Sequence, residues 1–367
     1  MKVIVTGGGT GGHIYPAIAI ADKFKEMDPD TEILYVGNSG GIEVDVVPRT
    51  GYDMKFVNAK GIEKPGISEK AKACARIGCG IMESMSIMRS FKPDVIVGTG
   101  GYVCVPVIVA GKLHGVPCYI HEQNAFPGKA NLLLEKFVRK VFLGFKEGET
   151  YFKHKEKLVY VGNPVRKTFF DAKREASREK MGFKPGEFVV LSFGGSLGSE
   201  KLNKVAFDLA DAVYGHEGIT FVLATGRDYY DQAKALFDAK YHSDMKNLIV
   251  KDYIDNMEEY LAASDLIISR SGALSLAEMT VCGKASVLIP SPNVTGNHQF
   301  FNAKTVADKG GAILIEEKDL TGEGLVKEVL KLKNNPSLLK SMEEASKKCA
   351  VVNTLDIIYN SIMTDLK

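Results

Sequence analysis

The six cysteines of this 367-residue chain include no Cys-x-x-Cys pair, neither charge is in excess, and no apolar run approaches the length of a bilayer span. Cys74, Cys79, Cys104, Cys118, Cys282 and Cys349 sit mostly in apolar or small-residue runs. That placement predicts buried thiols in a reducing compartment, not metal ligands or disulfides. The 47 Lys and Arg against 45 Asp and Glu leave a net charge of +2, too near neutral to indicate a nucleic-acid partner by bulk charge. A membrane-spanning helix needs about 20 apolar residues, and none is present. The opening MKVIVTGGG shows no h-region and no cleavage site, so the expected location is cytoplasmic, with contact at a membrane surface left open. Metal-ligating clusters are also missing. Asp28-Pro29-Asp30 mimics an acidic triplet but reads as the turn after the first helix. No metal or other cofactor is expected.

What is present is a repeated grammar. Apolar runs at 2–6, 32–37, 94–98, 117–121, 140–144 and 157–162 alternate with amphipathic stretches up to a break at Asn163-Pro164. The pattern restarts at 188–193 and continues at 219–225, 247–253, 265–270, 285–290 and 311–316. Such runs, ending in Gly, Ser or Asn and separated by helical patterns, predict parallel strands with crossover helices. The length suits two domains of about 150 to 200 residues. The expected fold is therefore α/β, with two Rossmann-like domains at 1–163 and 164–345. A terminal segment, 346–367, is expected to pack back on the first domain. The helix-like pattern there runs over 337–364, and the charged stretch 171–184 reads as a surface helix with a solvated face.

Three glycine- or serine-rich turns carry chemistry. Gly7, Gly9 and Gly12 satisfy G-x-G-x-x-G after the first strand, with Pro16 in the first turns of the next helix. Backbone N–H groups and the helix dipole there suit a diphosphate without a metal. Dinucleotide binding would also call for an acid after the second strand, but that strand ends Tyr35-Val36-Gly37-Asn38. NAD is disfavoured. His13 lies where the dipole favours neutral imidazole, the form that accepts a proton from a hydroxyl; a loop-bonding role is the other reading. His121 and His298 read as hydrogen-bonding residues. The second turn, Gly194 to Gly198, lacks the Lys-Ser/Thr ending of a P-loop, which disfavours kinase or ATPase chemistry. The third, Ser269 to Glu278, runs from strand into helix, and Glu278 suits ribose hydroxyls as an acceptor. Asn297-His298-Gln299 offers amides to sugar hydroxyls.

Gly8-Gly9-Thr10-Gly11-Gly12-His13, Gly100-Gly101-Tyr102, His121-Glu122-Gln123-Asn124, Gly162-Asn163-Pro164-Val165-Arg166, Gly194-Gly195-Ser196 and Ser269-Arg270-Ser271-Gly272-Ala273 together closely resemble the MurG family. The motifs fall in the family's order over nearly the whole chain. The resemblance implies a GT-B glycosyltransferase, with two Rossmann-like domains facing a deep cleft. It implies inverting transfer of N-acetylglucosamine from UDP-N-acetylglucosamine to the muramyl 4-hydroxyl of lipid I, giving lipid II for peptidoglycan, by an enzyme peripheral on the inner face of the bacterial membrane. Carried to matching positions, Thr10, Gly11 and Gly12 border the diphosphate region and Asn124 contacts the sugar. Arg166 and Ser196 hold the nucleotide, and Ile254 presents its backbone to uracil. Ala273, Leu274, Ser275, Leu276, Ala277 and Glu278 hold diphosphate and ribose, and Gln299 the sugar. His13 is the candidate base and Glu122 its rival. The chain departs from the pattern at Lys284, which follows Gly283 where relatives have a small apolar residue and Pro, and at Leu197 and Ser199 in the second turn.

The acceptor's lipid implies a membrane-facing surface. The candidate is 64–92, where Lys64, Lys70, Lys72, Arg76, Arg89 and Lys92 flank Ile77, Ile81, Met82, Met85 and Met88; packing of the first domain is the other reading. Two rival functions stay open: a nucleotide-sugar epimerase with the same paired domains, and a non-catalytic nucleotide-binding module.

Overall fold

The structure, a computed structural model, describes residues 1–59, 67–195, 198–214, 218–241 and 247–367, with the backbone alone for 67–74. The chain forms two compact units, Met1–Pro164 with Val351–Lys367, and Val165–Ala350.

The first unit is a seven-stranded sheet of order β3-β2-β1-β4-β5-β6-β7, all parallel. Its strands are β1 (Lys2–Thr6), β2 (Glu32–Gly37), β3 (Asp53–Phe56), β4 (Val95–Gly98), β5 (Cys118–Glu122), β6 (Lys140–Leu143) and β7 (Leu158–Tyr160). Helices α1 (Gly11–Met27), α2 (Glu43–Val46), α3 (Ile67–Phe91), α4 (Cys104–Leu113) and α5 (Lys129–Leu134) supply the crossovers. Side chains alternate along a strand, so one apolar run feeds two cores. Ile4, Leu34, Ile96, Ile120 and Val141 pack with α3, α4 and α5, whereas Val3, Val5, Tyr35, Val97 and Phe142 pack with α1.

The second unit has a six-stranded parallel sheet of order β10-β9-β8-β11-β12-β13. Its strands are β8 (Phe188–Phe193), β9 (Ile219–Ala224), β10 (Leu248–Lys251), β11 (Leu266–Ser269), β12 (Ala285–Leu288) and β13 (Ala312–Leu314). Around it lie α6 (Thr168–Asp171), α7 (Arg174–Met181), α8 (Glu200–Val213), α9 (Tyr230–Lys240), α10 (Met257–Ala263), α11 (Ala273–Val281), α12 (His298–Ala307), α13 (Gly322–Lys333) and α14 (Pro336–Lys348).

Each sheet reverses its order beside its first strand, between β1 and β4 and between β8 and β11. The loops at the carboxyl ends of those strand pairs splay apart at such a point, which makes it the ligand site of an open parallel sheet. Both glycine-rich turns and the Ser269–Gly272 turn leave the sheets there.

Three expectations need correction. The pattern over 337–364 is two helices, α14 in the second unit and α15 (Thr354–Leu366) in the first, with the break at 349–353. Ile358 and Ile362 of α15 are buried against the β1 core, and Tyr359 meets Phe24 edge-on at 5.2 Å. β3 was not expected, because an edge strand as exposed and charged as Asp-Met-Lys-Phe carries no apolar run. Finally, α7 is more than a solvated face. Arg174 and Arg178 both pair with the buried carboxylate of Asp265, which also accepts from Val189 N at 2.7 Å.

Candidate active site

In the first unit, β1 delivers the chain into Gly7–Thr10 and then into α1, whose first turn holds His13. Gly9 turns the loop at φ +84°, a left-handed conformation that glycine adopts without strain. Thr10 is the N-cap but makes no side-chain cap, and the first turn carries no acid. The N–H groups of Gly11 and Gly12 therefore point out of the helix start without an intrahelical partner, beside the positive end of the dipole. The His13 ring is fixed. Its Nδ1 lies 2.9 Å from the Gly8 carbonyl oxygen, and since a carbonyl only accepts, Nδ1 carries the proton. Nε2 of the neutral ring is then the lone-pair nitrogen. The ring packs on Gly100, where φ is +112° and a Cβ would sit 2.7 Å from His13 Cδ2. The Thr99 hydroxyl donates to the His13 carbonyl at 2.6 Å, so the turn after β4 holds the histidine by backbone and ring together.

Glu122 ends β5, two strands from β1. Its side chain is buried and fully engaged: Oε1 accepts from the backbone and side-chain amides of Asn124 at 2.9 and 3.2 Å, and Oε2 from Gly128 N at 2.9 Å and Asn131 Nδ2 at 2.8 Å. The carboxylate thus shapes the loop that presents Asn124. His121 lies inside the unit, donating through Nε2 to Gly162 O at 2.9 Å and accepting from Gln123 at 3.0 Å. Burial pushes its pKa down to about 4, so the ring is neutral, in the hydrogen-bonding role expected of it.

In the second unit, α11 starts at Gly272 without a side-chain cap and without an acid in its first turn. The backbone N–H groups of Ala273, Leu274 and Ser275 precede the first intrahelical donor, Leu276 N, which bonds Gly272 O at 2.9 Å. This is a second helix start with free backbone donors. Gln299 braces it: its Oε1 accepts from Ser271 N at 3.4 Å and Ser291 N at 2.9 Å, and its backbone oxygen takes the Ser271 hydroxyl at 2.8 Å. With the oxygen so used, the amide NH2 is the end left to donate. Further along α11, desolvation raises the Glu278 carboxyl to about 7; Arg166 opposes the shift and Glu258 adds to it. Arg166 pairs with Glu258 at 3.3 Å and lies over the Phe169 ring. Leu276 is buried and Ala277 half-buried. Ile254 is buried in the turn after β10. Ser196 lies outside the described residues.

Residues 3–143 match the glycosyltransferase family 28 N-terminal domain and 189–356 the family's C-terminal domain. The UDP-N-acetylglucosamine--N-acetylmuramyl-(pentapeptide) pyrophosphoryl-undecaprenol N-acetylglucosamine transferase of Desulforudis audaxviator is 41% identical, over 99% of this chain and 98% of its own. The chain belongs to the MurG family of glycosyltransferase family 28. The crystal structure of MurG from Acinetobacter baumannii superposes with a TM-score of 0.79 at 26% identity, covering 99% of each chain. A putative UDP-N-acetylglucosamine 2-epimerase from Listeria monocytogenes shares the fold alone, at a TM-score of 0.69 and 14% identity, covering 100% of this chain and 96% of its own. The GT-B class of two Rossmann-like domains expected from the sequence holds.

Within this MurG-family chain, Thr10, Gly11, Gly12 and His13 share one loop, which the Thr99 and Gln123 hydrogen bonds link to the Glu122–Asn124 loop. In the second unit Arg166 acts on Glu278 electrostatically while pairing with Glu258, and Gln299 bonds the turn before α11. The departure at Lys284 is accommodated by burial: its ammonium caps the end of α10 through Ala262 O at 2.8 Å and Ser264 O at 2.9 Å, and desolvation lowers its pKa to about 8. Two residues escaped the sequence reading. Arg270 donates to Ser199 Oγ, Ile289 O and Pro290 O and pairs with Glu317, clamping the second and third turns together. Glu43 is buried beneath the first turn; only its place shortly after Gly40-Gly41 hints at a turn there.

Proposed function

We propose that this chain transfers N-acetylglucosamine from UDP-N-acetylglucosamine to the muramyl 4-hydroxyl of lipid I, forming lipid II with inversion, and that His13 is the base. The 4-hydroxyl oxygen forms a bond to the anomeric carbon while the bond from that carbon to the diphosphate oxygen breaks. The hydroxyl proton passes to His13 Nε2, and the electron pair leaves on UDP. The observation that carries this reading is the Nδ1 bond to Gly8 O, which fixes the tautomer with Nε2 ready to accept. Glu122 serves better as a loop organiser than as a base, because both its oxygens already accept two hydrogen bonds. The start of α11 suits the leaving diphosphate and Glu278 the ribose, while Gly11 and Gly12 suit the acceptor diphosphate. In a His13→Ala variant, kcat should fall about 100-fold or more with donor KM within about twofold. An equal fall in donor affinity would make His13 a binding residue.

No helix among the described residues is long and apolar enough to cross a membrane. The enzyme meets its lipid acceptor as a peripheral protein on the inner face of the cell membrane, through α3. On that helix Met88 is buried and Ile77 and Met85 pack on the core, while Met82 is 65% exposed. Among the described side chains of 64–92, the exposed large apolar group is Met82, on the helix that also carries Arg76 and Arg89. Lys64 lies outside the described residues, as do the side chains of Lys70 and Lys72.

A further inference from the structure

In a dinucleotide-binding unit the acid beside the first glycine turn follows the second strand and faces the ribose. Here Asn38 holds that position, and a carboxylate reaches the turn from another direction. Glu43, on the single turn α2, is wholly buried. Its Oε2 accepts from Gly9 N at 3.2 Å and its Oε1 from Asn38 N at 3.0 Å. One carboxylate thereby joins the ends of β1 and β2. Its surroundings leave no slack: a Cβ at Gly8, Gly37 or Gly41 would come within 2.9 Å of the Glu43 side chain. The Gly7 carbonyl is held on the same loop by the buried Tyr35 hydroxyl at 2.7 Å.

The direction of the Gly9 bond matters. An unpaired N–H in a glycine turn is free to swing toward an anion; Glu43 draws this one inward. The donors left facing outward are those of Gly11 and Gly12 at the start of α1, in the same first turn as His13. The Gly8 carbonyl that fixes His13 Nδ1 belongs to the peptide whose N–H Glu43 holds. Rotation of the Gly8–Gly9 peptide would therefore break both bonds.

We propose that Glu43 is a positioning residue of the transfer reaction, locking the Gly8–Gly9 peptide so that its carbonyl sets the His13 tautomer and its N–H stays out of the acceptor diphosphate site. The proposal rests on the reading of His13 and the glycine turn given above. Glutamine at this position can accept from only one of the two backbone N–H groups and turns its own NH2 on the other, so it tests the lock with little change of shape.

The test compares wild type, Glu43→Gln and Glu43→Ala by UDP release at saturating donor, over a range of a prenyl-diphosphate-linked N-acetylmuramyl-peptide acceptor. Donor KM, the pH dependence of kcat and the melting temperature are measured alongside. Acceptor kcat/KM should fall at least about tenfold in both variants, with donor KM within about twofold. The acid limb of the kcat profile should shift, because the histidine loses its fixed partner. A role confined to stability would lower the melting temperature and leave the kinetics of the folded protein alone. Three outcomes overturn the proposal: acceptor kcat/KM of folded Glu43→Gln within twofold of wild type, equal losses for donor and acceptor, or a Glu43→Gln chain with no folded state. Failure of the underlying reading looks different, since His13→Ala would then lose donor affinity as much as kcat whatever Glu43 does.

Discussion

At the scale of residues, what distinguishes His13 from the buried His121 is the state of its second nitrogen. His121 spends both ring nitrogens on protein partners inside the fold, whereas the hydrogen bonds of His13 are made at Nδ1, which leaves Nε2 for the proposed proton transfer. Gly100 lets the ring come close, since a Cβ there would sit 2.7 Å from His13 Cδ2 and 2.9 Å from Nε2. Gly100→Ala forces a Cβ into the ring and a strained backbone, so kcat should fall about tenfold or more while UDP affinity, measured by calorimetry, is unchanged. His121 predicts a pH effect. Its folded pKa of about 4 lies below the ordinary 6.5, so the unfolded chain takes up a proton first as pH falls. Stability is full above 6.5, declines through the window from 6.5 to 4 and is lost below it, by about 3 kcal/mol in all. Denaturant melts at pH 7 and 4.5 should show that loss, and His121→Gln should flatten it. Of these features His13 and the glycine spacing were legible in sequence, because loop chemistry is local. The saturation of Glu122 and the buried bonds of Glu43 were not, because each depends on partners that only the strand order brings together.

At the scale of elements, strands were easier to read than helix ends or clamps. Runs such as FVVLSF are buried on both faces and announce themselves, whereas β3 is an exposed edge and the break between α14 and α15 falls within a continuous amphipathic pattern. Arg270 lay within a motif, yet its task is visible only where the turns after β8, β11 and β12 converge. Its guanidinium is 11% exposed and paired with Glu317. Arg270→Met leaves that carboxylate and two carbonyls without a donor, and should cost about 3 kcal/mol of stability with a matching rise in donor KM. Arg270→Lys should recover only part of the loss, since a single ammonium cannot span the same acceptors. An Arg270→Met protein with unaltered melting and donor KM would remove the clamp.

For the whole molecule, two units each place glycine- or serine-rich turns at the reversal point of a parallel sheet, and the last helix belongs to the first unit. The plan of two parallel sheets was legible from the strand grammar. Which face of α3 stays exposed was less so, because helical spacing alone does not tell which side of a helix the core claims. Charge reversal at Lys70, Lys72 and Arg76 should abolish flotation with anionic vesicles while leaving UDP affinity intact; binding unaffected by the reversal would place the contact elsewhere. One assay tests transfer to the lipid acceptor most directly. UDP release from UDP-N-acetylglucosamine should be negligible alone and rise at least about 100-fold with a lipid I analogue, the sugar appearing on the lipid product. Release at the same rate without acceptor, or a rearranged sugar in place of a lipid-linked disaccharide, would contradict it.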